Sequence, residues 1–517
     1  MLARPNLYHP RSLALRLVLL ALLAVALPLV LLAPGSASTF ARHRSGFASS
    51  TSHTTVLTIA PQQTGPDFAL GTVGLSVETE ELGTHDLSAA HRPLVALMRL
   101  LGPGVLRIGG NSLDYSWWTS SDEPRPAWAT SVVTPADLVN LRQLLAATGW
   151  RVILGVDLGH LDPTRAADEV RIAEPILGSR LLGFEVGNEP NDYGDPLVKL
   201  RPSSYSVSSY LRELATYRTA MRSVAPSIRF FGPDLGWLSW QKWLPAIISD
   251  KAMSFTSITQ HYYPTSYNIA KGICKGTPVP SALELLSSQA RERETTVLRT
   301  LVAASDAAQR EARIDETNTT ASCDTGGGPH TSPVFTSALW AFDWVLRSAS
   351  AGITGINFHG AVGRCAPDTI SPICASGTRA TDRGQVRPRP EYYGLLAARQ
   401  LEGGHFIPVQ ISRDKAIEED LTAYATVHAR GVMTVAIDNV STTTRKLLTL
   451  NVPSYERAVG ERLLAPSVDA TSNVTFGNAS ANSGGVLQPR RARISGLHGV
   501  FQLQLPPASA IVITLYR

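Results

Sequence analysis

From about residue 67 the chain alternates short, nearly continuous apolar runs with longer stretches of helical periodicity. Eight runs set this rhythm: residues 71–77, 104–108, 151–156, 181–186, 228–232, 255–260, 311–315 and 354–358. Helix-like spacing of apolar residues fills 89–101, 135–148, 208–224 and 332–349, and returns over 391–401. Runs without polar alternation are buried on both faces, which is the condition of a parallel sheet. Eight strand-then-helix units predict an α/β fold, a (β/α)8 TIM barrel over residues 67–402. The rival is an open doubly wound sheet, but no Gly-x-Gly-x-x-Gly follows the first run.

Past residue 402 the period changes. Residues 423–427, 432–437, 447–452 and 511–516 read as short strands separated by Gly, Pro, Asn and Ser, so 403–517 is expected to be an antiparallel β-sandwich domain. Residues 55–60 also read as a strand. With no helix after it, the segment 56–66 is expected to pair into the sandwich.

The first 38 residues hold Arg4, Arg11 and Arg16, an apolar stretch over 17–32, and the small residues Gly35-Ser36-Ala37-Ser38. This is the three-part pattern of a cleaved export signal; an uncleaved anchor is the alternative. Residues 39–55, rich in Ser, Thr and His, read as a flexible spacer. The expected location is secreted, with no stable membrane insertion after cleavage. Of the formal charge of +5, the signal carries three, and the remainder shows no basic stripe, which argues against a nucleic-acid partner. Four cysteines in an exported chain predict two disulfides. Cys274 follows the sixth run, Cys323 the seventh, and Cys365 and Cys374 share the loop after the eighth, which favours pairing Cys274–Cys323 and Cys365–Cys374. No Cys-x-x-Cys is present, so neither a zinc site nor any other metal or cofactor is expected.

Active sites of such barrels lie at the C-terminal ends of the strands. There the fourth run leads into Gly187-Asn188-Glu189-Pro190-Asn191 and the seventh into Asp315-Glu316-Thr317-Asn318. Two carboxylates on one rim are the equipment of retaining glycoside hydrolysis. Tyr263, on the same face as His261 by alternation, is placed to hydrogen-bond the strand-seven carboxylate, while Tyr262 packs at the rim. Arg107 either pairs with a carboxylate or braces the barrel. Glu78 and Asp114, at the ends of the first two runs, either bind sugar hydroxyls or cap and pair within the protein. Trp117 and Trp118 either stack on sugar rings or belong to the core.

Taken together, Leu106-Arg107-Ile108-Gly109-Gly110, Gly187-Asn188-Glu189-Pro190-Asn191, His261-Tyr262-Tyr263, Glu316-Thr317 and Gly326-Gly327-Gly328 resemble clan A retaining glycosidases. More narrowly they resemble glycoside hydrolase family 79, which holds heparanase and bacterial β-glucuronidases. The resemblance implies Glu189 as acid/base and Glu316 as nucleophile. It implies Asn188 as donor to the sugar 2-hydroxyl and Tyr263 as the residue that holds Glu316. Glu78 and Asp114 resemble contacts to the terminal sugar, and Gly327 and Gly328 lie where backbone amides approach the substrate carboxylate. Two departures bear on uronate specificity. The loop after the eighth run lacks the family's tyrosine and offers Arg364 in its place, and residues 319–325 are additional.

The expected function is therefore a secreted, β-glucuronidase-like retaining glycosidase acting on an oligosaccharide or glycoside. Alternatives are a retaining enzyme for a neutral sugar and a catalytically inactive carbohydrate-binding barrel. A barrel lyase or aldolase would usually call for a lysine or a metal cluster, and none of the seven lysines sits at an assigned strand end.

Overall fold

The computed structural model describes residues 55–60, 64–196, 198–236, 240–250, 255–266, 281–321, 331–365, 370–375, 385–412, 420–482 and 484–517. The expected export segment, most of the spacer, and Gly327, Gly328, Cys274 and Cys323 lie outside the described residues.

Strand β1 (Thr55–Ile59) precedes eight barrel strands: β2 (Val73–Glu78), β3 (Val105–Gly109), β4 (Arg151–Val156), β5 (Leu181–Val186), β6 (Phe231–Leu235), β7 (Ser257–Tyr262), β8 (Glu311–Thr317) and β9 (Ile353–Gly360). All their pairings are parallel, in the order β5-β4-β3-β2-β9-β8-β7-β6. The ring closes where Phe184 bridges Phe230, its N–H donating to the Arg229 carbonyl at 2.9 Å. The chain is a TIM barrel followed by an antiparallel β-rich domain.

The strands are buried along almost their whole length, as unalternated apolar runs require. One strand is displaced from expectation. The fifth apolar run, 228–232, is the approach, and the strand itself runs Phe231–Leu235 and carries the buried Asp234.

Among the described residues, the α-helices longer than one turn that surround or follow the ring are α1 (Arg92–Leu100), α2 (Pro135–Thr148), α3 (Pro163–Leu177), α4 (Val207–Val224), α5 (Trp240–Ser249), α6 (Ser288–Ala308), α7 (Phe335–Ser350) and α8 (Pro390–Ala398). Helix α2 shows how local chemistry sets the bounds. Thr134 and Asp137 form a capping box at its start, and Gly149 closes it in the left-handed conformation, φ +83°. Helices α3, α5 and α6 lie outside the stretches whose periodicity predicts a helix, and Pro175 and Pro245 fall inside α3 and α5.

The C-terminal strands are β10 (Gly404–Ile407), β11 (Val409–Ile411), β12 (Leu421–Val427), β13 (Met433–Asn439), β14 (Lys446–Asn451), β15 (Arg457–Leu464), β16 (Val500–Leu505) and β17 (Ser509–Tyr516). They form two sheets, one containing β11-β1-β14-β16 and the other β10-β12-β13-β17-β15. Strand β1 lies between β11 and β14, parallel to β14, with Leu57 opposite Leu450. Leu57, Leu450 and Phe501 from one sheet share an apolar cluster with Val435, Ile437 and Ile513 from the other.

The second sheet turns its opposite face to the barrel. Ala436, Phe476 and Val512 join the barrel's own core, and the Tyr424 hydroxyl donates to Asp343 Oδ1 on α7 at 2.7 Å. Helix α7 is thus covered on both sides, which is why it is apolar nearly all round. Cys365 and Cys374 are disulfide-bonded in the loop after β9. No helix among the described residues is long and apolar enough to cross a membrane.

Candidate functional site

The C-terminal mouth of the barrel gathers both strand-end glutamates around one fixed cation. Arg107 on β3 has no solvent exposure. Its Nε donates to Glu185 Oε2 at 2.7 Å, Nη1 to Glu316 Oε2 at 2.6 Å, and Nη2 to Asn188 Oδ1 at 2.9 Å. One planar fork therefore ties β5, β8 and the loop after β5 together. The guanidinium lies so close to the β3 backbone that a Cβ at Gly109 would stand 2.4 Å from Arg107 Cζ.

Glu316 is 6% exposed, and its other oxygen accepts from the Tyr263 hydroxyl at 2.8 Å. Burial alone would raise its pKa. The charges of His359, His261 and Arg107 and the Tyr263 hydroxyl outweigh that and hold the carboxyl well below the usual range. Glu316 is an anion fastened from several sides. Tyr262, next to Tyr263 in sequence, packs against Trp344 with ring centroids 5.1 Å apart and belongs to the core.

Glu189 sits in the left-handed conformation, φ +49°, in the turn that ends β5 just before Pro190. That conformation is uncommon outside glycine, and here it is held by the Glu189 N–H donating to the Asp234 carbonyl at 2.9 Å. Gly236 leaves room for the side chain: a Cβ there would meet Glu189 Cδ at 2.3 Å. Glu189 Oε1 lies 2.9 Å from His261 Nδ1. One ligand atom each of Glu189, His261 and Glu316 lie within 4.8 Å of one another, so the two carboxylates reach into the same space.

Around this pair, Asn188 is 5% exposed, and its amide Nδ2 lies 3.4 Å from Asn111 Oδ1. Glu78 borders the opening with a side chain 22% exposed and accepts from the Ser112 N–H at 2.7 Å. Burial would raise its pKa, but His359 and the Ser112 N–H bring it down, so Glu78 is also an anion. His359, at the end of β9, lies between the two acids, with Nε2 3.5 Å from Glu78 Oε1 and Nδ1 3.7 Å from Glu316 Oε2. Sequence reasoning passed over His359, although the strand-end rule that found the glutamates covers it equally.

The structure does not place every expected residue at the opening. Asp114 is buried, and protein donors take both its oxygens: the Leu158 and Gly159 N–H groups on Oδ1, and the Tyr193 hydroxyl on Oδ2 at 2.6 Å. It stands behind Asn188, whose own N–H lies 3.3 Å from that same hydroxyl. Trp118 is buried with Nε1 donating to Asp168, and Trp117 lies under the Arg165 guanidinium at 3.5 Å. Arg364 is exposed in the loop after β9, next to the Cys365–Cys374 bridge. Of the additional segment, Thr320–Ala321 pairs with Thr265–Ser266, joining the loops after β7 and β8.

Below the mouth lie three further buried acids. Glu185 on β5, Asp234 on β6 and Asp315 on β8 are at most 1% exposed. Burial pushes their pKa values up, to about 8, about 6 and about 8 respectively. Asp234, His261 and Asp315 also bring ligand atoms within 4.8 Å. In the first group Glu316 is already engaged on both oxygens, by Arg107 Nη1 at 2.6 Å and the Tyr263 hydroxyl at 2.8 Å, and Arg107 Nη2 lies 3.4 Å from His261 Nε2.

No protein-family model and no curated protein matches the sequence. Solved structures do. A 4-O-α-L-rhamnosyl-β-D-glucuronidase from Fusarium oxysporum superposes with a TM-score of 0.69 at 20% identity, covering 89% of this chain and 100% of that one. An α-L-arabinofuranosidase from Thermotoga maritima, solved with arabinose, gives 0.64 at 15% identity over 89% and 99%. A family 44 xyloglucanase from Paenibacillus polymyxa gives 0.57 at 11% over 90% and 100%. The architecture described above, barrel and β-rich domain together, is thus shared with solved glycoside hydrolases across nearly their full length.

Proposed function

We propose that the protein is a retaining glycoside hydrolase with Glu316 as nucleophile and Glu189 as acid/base. The carrying observation is the closeness of the two carboxylates, with oxygens within 4.8 Å. Retaining enzymes separate their carboxyl groups by about 5–5.5 Å, while inverting ones leave about 6.5–9.5 Å for a water. The Glu316 carboxylate attacks the anomeric carbon as Glu189 gives its proton to the departing oxygen, leaving a glycosyl ester on Glu316. Glu189 then takes a proton from water, the water oxygen attacks the same carbon, and Glu316 departs as carboxylate. Tyr263 and Arg107 hold the nucleophile in place, which lowers the cost of reaching the attack geometry.

The substrate in this reading is a terminal β-glucuronide, met outside the cytoplasm after export. The resemblance in the quoted motifs supports it, as does the named activity of the Fusarium oxysporum neighbour. A neutral sugar is the second reading, favoured by Glu78, an acceptor of hydroxyl hydrogen bonds that repels a substrate carboxylate. A panel of nitrophenyl β-glucuronide, β-glucoside, β-galactoside and β-xyloside decides between them. Preference for glucuronide by tenfold or more in kcat/KM supports the first reading, and turnover of a neutral glycoside alone supports the second. Sugar binding without turnover of any member would leave only a binding protein.

A further inference from the structure

We infer that Asp315 and Asp234 form a proton-sharing pair that keeps His261 cationic and thereby stabilises the Glu189 carboxylate between the two chemical steps. This makes them positioning residues that act through His261, and it rests on the retaining reading above.

The argument begins with the two nitrogens of one imidazole. His261, 1% exposed, turns Nδ1 to Glu189 Oε1 at 2.9 Å and Nε2 to Asp315 Oδ1 at 3.9 Å, with Arg107 Nη2 nearer to Nε2 at 3.4 Å. Its two edges thus face the acid/base residue above and the buried acids below. The charged and titratable groups around it come from every neighbouring strand. They are Arg107 from β3, Glu189 beyond β5, Asp234 from β6, and Asp315 and Glu316 from β8. Behind Asp315 stand Glu185 on β5 and Arg313 on β8.

The buried acids are short of donors. Neither oxygen of Asp315 meets a donor group, nor do Asp234 Oδ2 and Glu185 Oε1, and the other Asp234 oxygen accepts from the Thr259 hydroxyl. An ionised carboxylate can only accept, and two facing one another without a donor are untenable in a buried place. One proton between Asp234 and Asp315 resolves this, because the protonated acid donates to its neighbour. The pair then carries a single negative charge beneath His261, joining Glu316 in favouring the imidazolium. Burial works the other way, yet the balance lifts the His261 pKa to about 10.

That charge matters at a definite moment. When Glu189 has given its proton to the leaving oxygen, it becomes a carboxylate against His261 Nδ1, and an imidazolium there stabilises it until water returns a proton. Replacing Asp315 by Asn removes the charge and keeps the shape. The His261 pKa then falls.

Nitrogen-15 NMR of the histidine side chains in the full chain tests this, with the His261 signals identified by their loss in His261→Gln. The parent should keep His261 protonated up to about pH 10. Asp315→Asn, and independently Asp234→Asn on another strand, should each weaken the proton affinity of His261 about tenfold or more. Carbon-13 carboxyl signals of the unmutated protein should show one protonated acid of the pair at pH 7, a readout that needs no variant. An unmoved His261 titration in both variants, or two ionised aspartates at pH 7, would overturn the inference. Shifted titration in a protein that hydrolyses no glycoside would uphold the electrostatic link and sink the retaining reading instead.

Discussion

Arg107 Nη1 and Glu316 Oε2 lie 2.6 Å apart, and the same guanidinium is held at its other end by Glu185 at 2.7 Å. The nucleophile of the proposed reaction is therefore anchored through the barrel interior rather than from the solvent side. Arg107→Lys keeps a charge, but its three donors sit on one nitrogen and cannot reproduce three directed bonds spread over a planar fork. We predict a kcat loss of at least about a hundredfold with the fold retained. Arg107→Ala should in addition cost about 3–5 kcal/mol in urea denaturation, because it strands buried charge. Near-parental kcat in Arg107→Lys would show that Glu316 does not depend on this clamp.

The two glutamates should respond differently to azide. Glu189→Ala should still form the glycosyl ester from an activated aryl glycoside, since a good leaving group needs little protonation, worth about 10²–10⁴ otherwise. Azide, which needs no general base, should restore turnover and give a glycosyl azide of retained configuration. Glu316→Ala should be inactive with every substrate, and azide rescue there should invert. Product analysis by proton NMR reads both outcomes, and inversion from Glu189→Ala would exchange or abolish the assigned roles.

Specificity for a uronate, where present, should depend on charge-assisted donors, because a desolvated carboxylate that loses one costs roughly 2–5 kcal/mol. Arg364→Ala is expected to raise KM for a nitrophenyl glucuronide at least tenfold while leaving that for a glucoside within about twofold. Equal changes on both substrates would place Arg364 outside the sugar pocket.

Stability should carry its own pH signature through Glu391 on α8. Its Oε2 accepts from Asn318 Nδ2 at 3.1 Å, Oε1 has no partner, and burial pushes its pKa up to about 8. The folded protein keeps a proton there that the unfolded chain releases above its ordinary value of 4.5, so this group's contribution is full below that pH and is lost as the pH rises towards 8. Glu391→Gln should match the parent at pH 4.5 and exceed it at pH 8 by an amount on the order of a few kcal/mol. Urea denaturation across that range measures it, and a difference independent of pH would clear Glu391 of the effect.

The barrel was legible because strands buried on both faces leave uninterrupted apolar runs, and the glutamates because the rim is where such runs end. The interior acids were not, although Arg313 and Asp315 already alternate within β8 and Glu185 interrupts an otherwise apolar β5. Alternation tells which side of a strand a residue takes, not which residue of another strand it meets. Asp114 shows the same limit from the other direction. Its place at a strand end was readable, but the backbone N–H groups of Leu158 and Gly159 that occupy it belong to a different loop.

The seat of β1 between β11 and β14 has a consequence for how the protein is made. A ribosome releases Leu57 long before Leu450, its opposite number, exists. The barrel can assemble while that leading strand waits unpaired, but the C-terminal sheet is completed only when the last part of the chain has emerged. A translation product stopped after β9 would therefore expose an orphan strand and the bare flank of α7 together. Such a fragment is a natural target for proteolysis, and the barrel cannot be expected to survive as a freestanding module.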